Sequence, residues 1–324
     1  MTASSTSTTS TSTSHHTPTF VTAPHDQNVV WGTVSVCSYL TLWVASLLSP
    51  FVLAVLAYGH CYTTAVGGLV VIVLCYVVPW PSSPTLRAFM AAGSIKYFRT
   101  CSLTFEESLV DTPKVLLAVH PHGIFCMGWA ILFGRIELRH MKFCFSTALY
   151  NSPFFRVLSK LVGNPAPADK ATFQHLMQQG AALALIPGGF ESATITNAAQ
   201  PRVHVGKKGF IKYALKYGYG LVPCYVFNEH QTYTNVQGGW GFRFWLNSVG
   251  LPAIVPWGQW WCPMLPKSEV DVHVVCGKVL QLPTVEKPTK EEVLEWHRLY
   301  VAALVGLYDE HKGRFGVEQE LEVW

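Results

Sequence analysis

His120-Pro121-His122-Gly123 puts two imidazoles one residue apart, directly after the apolar run Val115-Leu116-Leu117-Ala118-Val119. A wholly apolar run of that length, closed by a Pro/Gly turn, reads as a strand buried on both faces. Ligands of open α/β sheets bind outside the carboxyl ends of strands, so the two histidines stand where a reactive site would stand. An imidazole with a pKa of about 6.5 can take a proton from an alcohol and return it later. Pro121 restricts the backbone between the histidines, and Gly123 permits close approach of a substrate. A metal site is the competing functional reading. No H-E-x-x-H motif or Cys/His cluster supplies the further ligands it needs.

A second turn repeats the pattern. Ala182-Leu183-Ala184-Leu185-Ile186 ends in Pro187-Gly188-Gly189-Phe190-Glu191-Ser192. Gly188 and Gly189 can offer backbone N–H groups to a developing oxyanion or a phosphate. Glu191 is the carboxylate expected to orient or charge-balance a histidine. Its alternative is an acid satisfying backbone amides at a helix N-terminus. Arg202, Lys207 and Lys208 follow, then Lys212 and Lys216 at helical spacing. This basic stretch suits a phosphate-bearing ligand. For the helix lysines, a solvated face or anionic lipid is equally compatible. A G-x-S-x-G elbow, a Walker A loop and a G-x-G-x-x-G after a strand are all absent. No metal or resident cofactor is expected.

The elements that must hold these residues begin with a membrane segment. Half the residues are apolar and 13% are charged, against about a quarter charged in an ordinary soluble domain. No charged side chain lies between Asp26 and Arg87. Two apolar runs fill that gap, about Trp31 to Tyr58 and Cys61 to Trp80, each near the roughly 20 residues that cross hydrocarbon as a helix. They predict a helical hairpin, with Pro50 as a place to kink or to dip into one leaflet. Arg87, Lys96 and Arg99 follow closely, and positive residues stay cytosolic. Residues 1–28, dominated by Ser and Thr, read as a disordered tail. The predicted layout is tail 1–28, hairpin 29–86 and a cytosol-facing domain 87–324. The net charge of +4 is too mild for a nucleic-acid binder. Nine cysteines without a C-x-x-C pair read as free thiols in a reducing compartment.

Leu221–Phe227 and Val270–Cys276 are further strand candidates. Gly209–Tyr217 has a helical apolar face. Thr289 and Glu292 form a capping box that opens a helix closed by Gly313. Strands alternating with helices predict an α/β fold, a mixed but largely parallel sheet flanked by helices. Residues 238–266 hold five tryptophans and one charge. Their helical periodicity is poor, so they read as an irregular segment dipping into the membrane interface, or as an aromatic core loop.

HPHGIFCMG, LIPGGFES, the stretch from Arg202 ending in KKGFIKYALKYGYGLVPCYVFNE, VVCGKVLQLP and LYDEHKGRFG together resemble the type-2 diacylglycerol acyltransferase family. That family includes monoacylglycerol and wax-alcohol acyltransferases. The resemblance runs from the hairpin to the last residue. It implies a glycerolipid acyltransferase-like fold and transfer of an acyl group from acyl-CoA to diacylglycerol, forming triacylglycerol. His120 or His122 would be the base, Glu191 its partner, and Gly123, Gly188 and Gly189 the oxyanion groups. Arg202, Lys207 and Lys208 would meet coenzyme A. It further implies membrane lipid as a partner, the endoplasmic reticulum membrane and lipid droplets as locations, and a possible homo-oligomer. The family's glycine-glycine-x-x-acid turn falls one residue differently here, because Glu191 follows Gly189 by two. A non-catalytic lipid-binding or droplet protein is the reading outside the enzyme class.

Overall fold

The computed structural model describes residues 19–22 and 28–324. Most of the expected tail lies outside them. Within it, Thr19–Thr22 forms strand β1, a four-residue Thr-Phe-Val-Thr segment whose β-branched and aromatic residues favour extended backbone. The tail is to that extent structured.

α1 (Val29–Tyr58) and α2 (Tyr62–Val77) form the hairpin, turning through Gly59, His60 and Cys61. Among the described residues, α1 has the length and hydropathy of a membrane-crossing helix. The second apolar run is shorter as a helix than expected. α2 has 16 residues, a rise of about 24 Å. It stops at Val78, which is extended because Pro79 follows it. α1 continues through Pro50. Proline offers no N–H to the carbonyl of Ser46, and the Ser49 hydroxyl donates to that carbonyl instead, at 2.9 Å.

The two halves of α1 differ. Ser35, Val36, Tyr39 and Leu40 are buried, while Leu47, Phe51, Val55 and Tyr58 are exposed, as are Val66, Leu69 and Val73 of α2. The hairpin tip therefore projects as an uncharged apolar surface. Its base is welded to the rest. α3 (Pro84–Lys96) crosses α1 so closely that a Cβ on Gly93 would stand 2.3 Å from that of Ser35. The expected boundary between residues 86 and 87 falls inside α3.

The remaining elements in chain order are β2 (Thr100–Phe105), β3 (Val115–His120), α4 (Met127–Phe133), β4 (Lys142–Phe145), α5 (Thr147–Tyr150), α6 (Pro153–Val162), β5 (Pro165–Pro167), α7 (Lys170–Gln178), β6 (Leu183–Leu185), α8 (Gly189–Ile195), β7 (Arg202–Val203), α9 (Gly209–Tyr217), β8 (Gly220–Phe227), α10 (Trp240–Ser248), β9 (Asp271–Cys276), β10 (Leu280–Gln281), α11 (Lys290–Lys312) and β11 (Glu322–Val323). The main sheet runs β1-β2-β9-β8-β3-β6-β4-β5, with β10 beside β8. The pairs β2–β9, β8–β3, β3–β6, β6–β4 and β4–β5 are parallel, and β1–β2, β8–β9 and β8–β10 are antiparallel. The expected mixed, largely parallel sheet is the one present.

β3 sits at its centre and is buried along its whole length. Val115, Leu117 and Val119 face a core shared with α1, α3, α4 and α6, while Leu116 and Ala118 face α7, α9 and α11. This is the two-residue alternation of a strand covered on both sides. β2 and β4 are additions to the expected strands. Their sequences, TCSLTF and KFCF, mix polar and apolar residues. α10 is a correction, since nine residues of the tryptophan-rich segment are helical. The Thr289–Glu292 capping box is present, and α11 ends at Gly313 as expected.

Candidate active site

β3 lies between β6 and β8 and is parallel to both. Three turns therefore meet at one edge: His120–Gly123 after β3, Pro187–Gly189 after β6, and Asn228–Glu229 after β8. The Ser192 hydroxyl, on α8, accepts from the backbone N–H of His122 at 3.1 Å and ties the first two turns together.

The histidines go to opposite sides of this edge. His120 continues the Leu116/Ala118 face and is 1% exposed. Its Nε2 meets the Tyr300 hydroxyl of α11 at 3.0 Å, and its Nδ1 is buried without a partner. Burial, with the nearby His204 and His297, drives its pKa down to about 3. It is a neutral, sealed imidazole. His122 is partly exposed. Its Nδ1 lies 2.9 Å from the Gly123 carbonyl. A carbonyl only accepts, so Nδ1 carries the proton and Nε2 keeps its lone pair. Burial lowers the pKa of His122, against the raising effect of that hydrogen bond.

Cys126 lies 3.4 Å from both ring nitrogens of His122. Burial and the charge of Glu229 push its pKa well above the ordinary thiol value. A nucleophilic cysteine needs the reverse, a stabilised thiolate. Cys126 is a neutral neighbour of the histidine.

Glu229 is the acid that sequence reasoning missed. It is 1% exposed. Oε1 accepts from Met127 N at 2.9 Å and Oε2 from Gly128 N at 2.7 Å, capping the first turn of α4. Its carboxylate also fills the space beside Gly123, where an added Cβ would stand 2.3 Å from Oε1. Gly123 has φ +64°, so position 123 needs glycine on both counts. Burial raises the Glu229 pKa to about 7, while the amides of Gly128 and Met127 lower it. A legible signal existed: an acid two residues past an eight-residue buried strand.

Glu191 lies elsewhere. Lys207 holds its Oε1 at 2.6 Å. Burial raises its pKa, but Lys207, its own backbone amide and His204 outweigh that and leave it lowered. No hydrogen bond joins it to His120 or His122 among the described residues. The G-G-x-x-acid pattern would put its acid at position 192, which is Ser192 here. Gly188 caps α8 and Gly189 has φ +53°.

The three basic candidates have separate surroundings. Arg202 bonds Glu322 at 2.6 Å and Gln237 at 2.9 Å and stacks on Trp324. Lys207 pairs with Glu191. Lys208 is half-buried at the start of α9 and has no ion pair among the described residues.

An apolar cavity of about 30 Å³ lies beside this edge, between α1, α3, α4 and α6, with Tyr39, Met127 and Phe155 in its wall. Thr194 on α8 also supports the tryptophan-rich segment. Arg243 donates to Thr194 O at 2.8 Å and to the carbonyls of Val236 and Ala253, and Asn247 bonds the Thr194 hydroxyl. The one charge of that segment is thus turned inward. Phe242, Trp245, Trp257, Trp260 and Trp261 face outward and are exposed.

The sequence matches the diacylglycerol acyltransferase family model over residues 83–324, which contains every residue of this site. The chain belongs to that family. It is 26% identical over 255 residues to diacylglycerol O-acyltransferase 2 of Bos taurus, covering 69% of each chain. The human protein of that name matches at 26%, over 64% of its length. Acyl-CoA wax alcohol acyltransferase 2 of Homo sapiens is 27% identical over 266 residues, 73% of this chain and 80% of that one. The crystal structure of the 1-acyl-sn-glycerophosphate (LPA) acyltransferase PlsC from Thermotoga maritima overlays with a TM-score of 0.40 at 12% identity, over 82% of this chain and 96% of that one. As a diacylglycerol acyltransferase family member the chain is an acyltransferase, and its HPHG turn lies at the carboxyl edge of the central strands.

Proposed function

We propose that this acyltransferase transfers a fatty acyl group from acyl-CoA to diacylglycerol. The observation that carries the mechanism is the Nδ1–H of His122 on the Gly123 carbonyl, which leaves Nε2 as the basic nitrogen. Nε2 takes the proton of the acceptor hydroxyl as its oxygen attacks the thioester carbonyl. The C–S bond breaks, and the leaving thiolate takes the proton back from His122. The new bond is an ester, the product triacylglycerol, and no covalent enzyme intermediate is needed. Backbone N–H groups at Gly123, Gly188 and Gly189 are the candidates for the oxyanion. His120 keeps a structural place against Tyr300. Lys208 and the helix lysines are the cations left to meet the phosphates of coenzyme A. No metal or cofactor takes part.

The surroundings support a lipid acceptor. The outward tryptophans suit the membrane–water interface. The basic residues after the hairpin favour a cytosolic domain on the endoplasmic reticulum membrane. The similarity to a wax alcohol acyltransferase, at an identity comparable to that of the diacylglycerol enzymes, favours a fatty alcohol as the second reading.

The test is transfer from labelled oleoyl-CoA in membranes containing the chain, beside a His120→Ala/His122→Ala control. Diacylglycerol, monoacylglycerol and fatty alcohol compete as acceptors. Triacylglycerol as the main product supports the proposal. Wax ester as the main product moves the assignment to the second reading, and no product with any acceptor overturns it. The pH profile gives a further expectation. A base must be neutral to act, so activity is lost as pH falls through the pKa of His122. Because that pKa is lowered, the acid limb of kcat/KM lies below the ordinary imidazole value of about 6.5. An acid limb above it would contradict the assignment.

A further inference from the structure

A second polar cleft lies at the base of the hairpin, away from the HPHG turn. It encloses about 400 Å³ and is lined by Trp80 and Ser82 of the α2–α3 connector, Arg87 of α3, Arg139, Lys160 of α6, and Asn164 beside β5. The connector is held to the end of α6, with Ser83 N donating to Leu161 O at 2.7 Å and Arg87 Nε to Val162 O at 2.7 Å. The cleft is therefore a fixed part of the fold.

Its charges do not balance. Arg87, Arg139 and Lys160 form no ion pair among the described residues, and no carboxylate lines the cleft. Three cations converging without an acid repel one another and favour an anion between them. The other groups are also able to donate. The indole N–H of Trp80 is buried without a partner. Asn164 gives its carbonyl oxygen to Lys142 Nζ at 2.6 Å, which leaves its amide N–H groups to donate. A buried unpaired donor is costly, and a ligand oxygen would relieve it.

We propose that this cleft binds the phosphate of an anionic phospholipid headgroup. Its place gives the lipid as source. It opens where α2 ends, and α2 leaves it as an exposed apolar surface. A phospholipid seated there has its phosphate among the cations and its acyl chains along the hairpin. The site fixes how deep the hairpin stands in the bilayer. The inference does not depend on which acceptor the enzyme uses.

The full chain is reconstituted in phosphatidylcholine nanodiscs with and without phosphatidic acid, and the lipids retained on release into detergent are counted by native mass spectrometry. The wild type is expected to retain one phosphatidic acid in preference to phosphatidylcholine. Arg139→Gln/Lys160→Gln, which keeps the Arg87–Val162 bond, is expected to retain it at least about tenfold more weakly. A Lys290→Gln/Lys312→Gln control should retain it like the wild type. Equal retention by the cleft variant, or no preference in the wild type, overturns the proposal. A separate arm titrates coenzyme A in detergent. If the cleft variant loses coenzyme A binding and keeps the lipid, the site takes a phosphate of coenzyme A and the lipid assignment is overturned. Each arm reads binding, so failure of acyl transfer is scored separately.

Discussion

Alanine at position 122 is expected to lower acyl transfer by about 10²–10⁴-fold, the usual contribution of a positioned general base, with membrane association unchanged. The expectation rests on the one imidazole of the pair that is partly exposed and has its tautomer set. Cys126→Ala is the informative companion. A neutral thiol contributes packing to this mechanism, so turnover should stay within a few-fold of wild type. If Cys126→Ala were as damaging as His122→Ala, an acyl-cysteine route would replace direct transfer. His120→Ala should show itself first in stability. It removes a buried ring and its bond to Tyr300, a change of about 2–4 kcal/mol for a large buried side chain and its partner. Assaying initial turnover of purified, folded protein, with thermal unfolding alongside, separates the two histidines.

Replacing Glu229 is expected to be the most damaging change at a residue outside the HPHG turn. Glu229→Ala strands the N–H groups of Met127 and Gly128 in the core, on the order of 2–5 kcal/mol. It also removes the wall against which Gly123 presents its carbonyl to His122. Glu229→Gln keeps one acceptor and turns an amide N–H₂ towards the other backbone donor, so it should fall between alanine and wild type. The pH dependence has a definite sign. The folded value of about 7 stands above the ordinary 4.5. Between those values the folded protein keeps a proton that the unfolded chain has released. The stabilisation from this proton is full below about 4.5 and is lost as pH rises to about 7. Thermal unfolding of wild type and Glu229→Gln in detergent across that window reads it directly. A wild-type slope that survives in Glu229→Gln would assign the titration to another group.

Much of the architecture follows from local pattern. A 60-residue gap in charge reads as a membrane segment, because charged groups are what solvate a surface, and α1 has the length and hydropathy to cross one. Short, wholly apolar runs ending in Pro/Gly turns become central parallel strands, because a strand covered on both faces has no polar side to show. The alternation along β3 even places His120 on the side of Ala118. The specificity of the HPHG, PGG and LVP segments carries the family, and the capping box at Thr289 is a contact between neighbours in sequence.

What tertiary structure decided are the contacts between elements. Spacing shows two histidines after a strand, but not that α11 seals one of them with Tyr300 while the ring of the other lies against the Gly123 carbonyl and Cys126. Glu191 is nearest in motif terms, yet its side chain goes to Lys207, and Ser192 makes the bond to the HPHG turn. Glu229 reaches that turn because β8 pairs with β3, although over a hundred residues separate them in sequence. Arg202 reads as a ligand cation and is spent on Glu322 near the end of the chain. The helix α10 hides within a poor local periodicity because Arg243 and Asn247, buried, brace it from inside. The sequence therefore determined the elements and the chemistry at their ends. The strand order and side-chain direction, which depend on burial by distant elements, decided which of those groups meet.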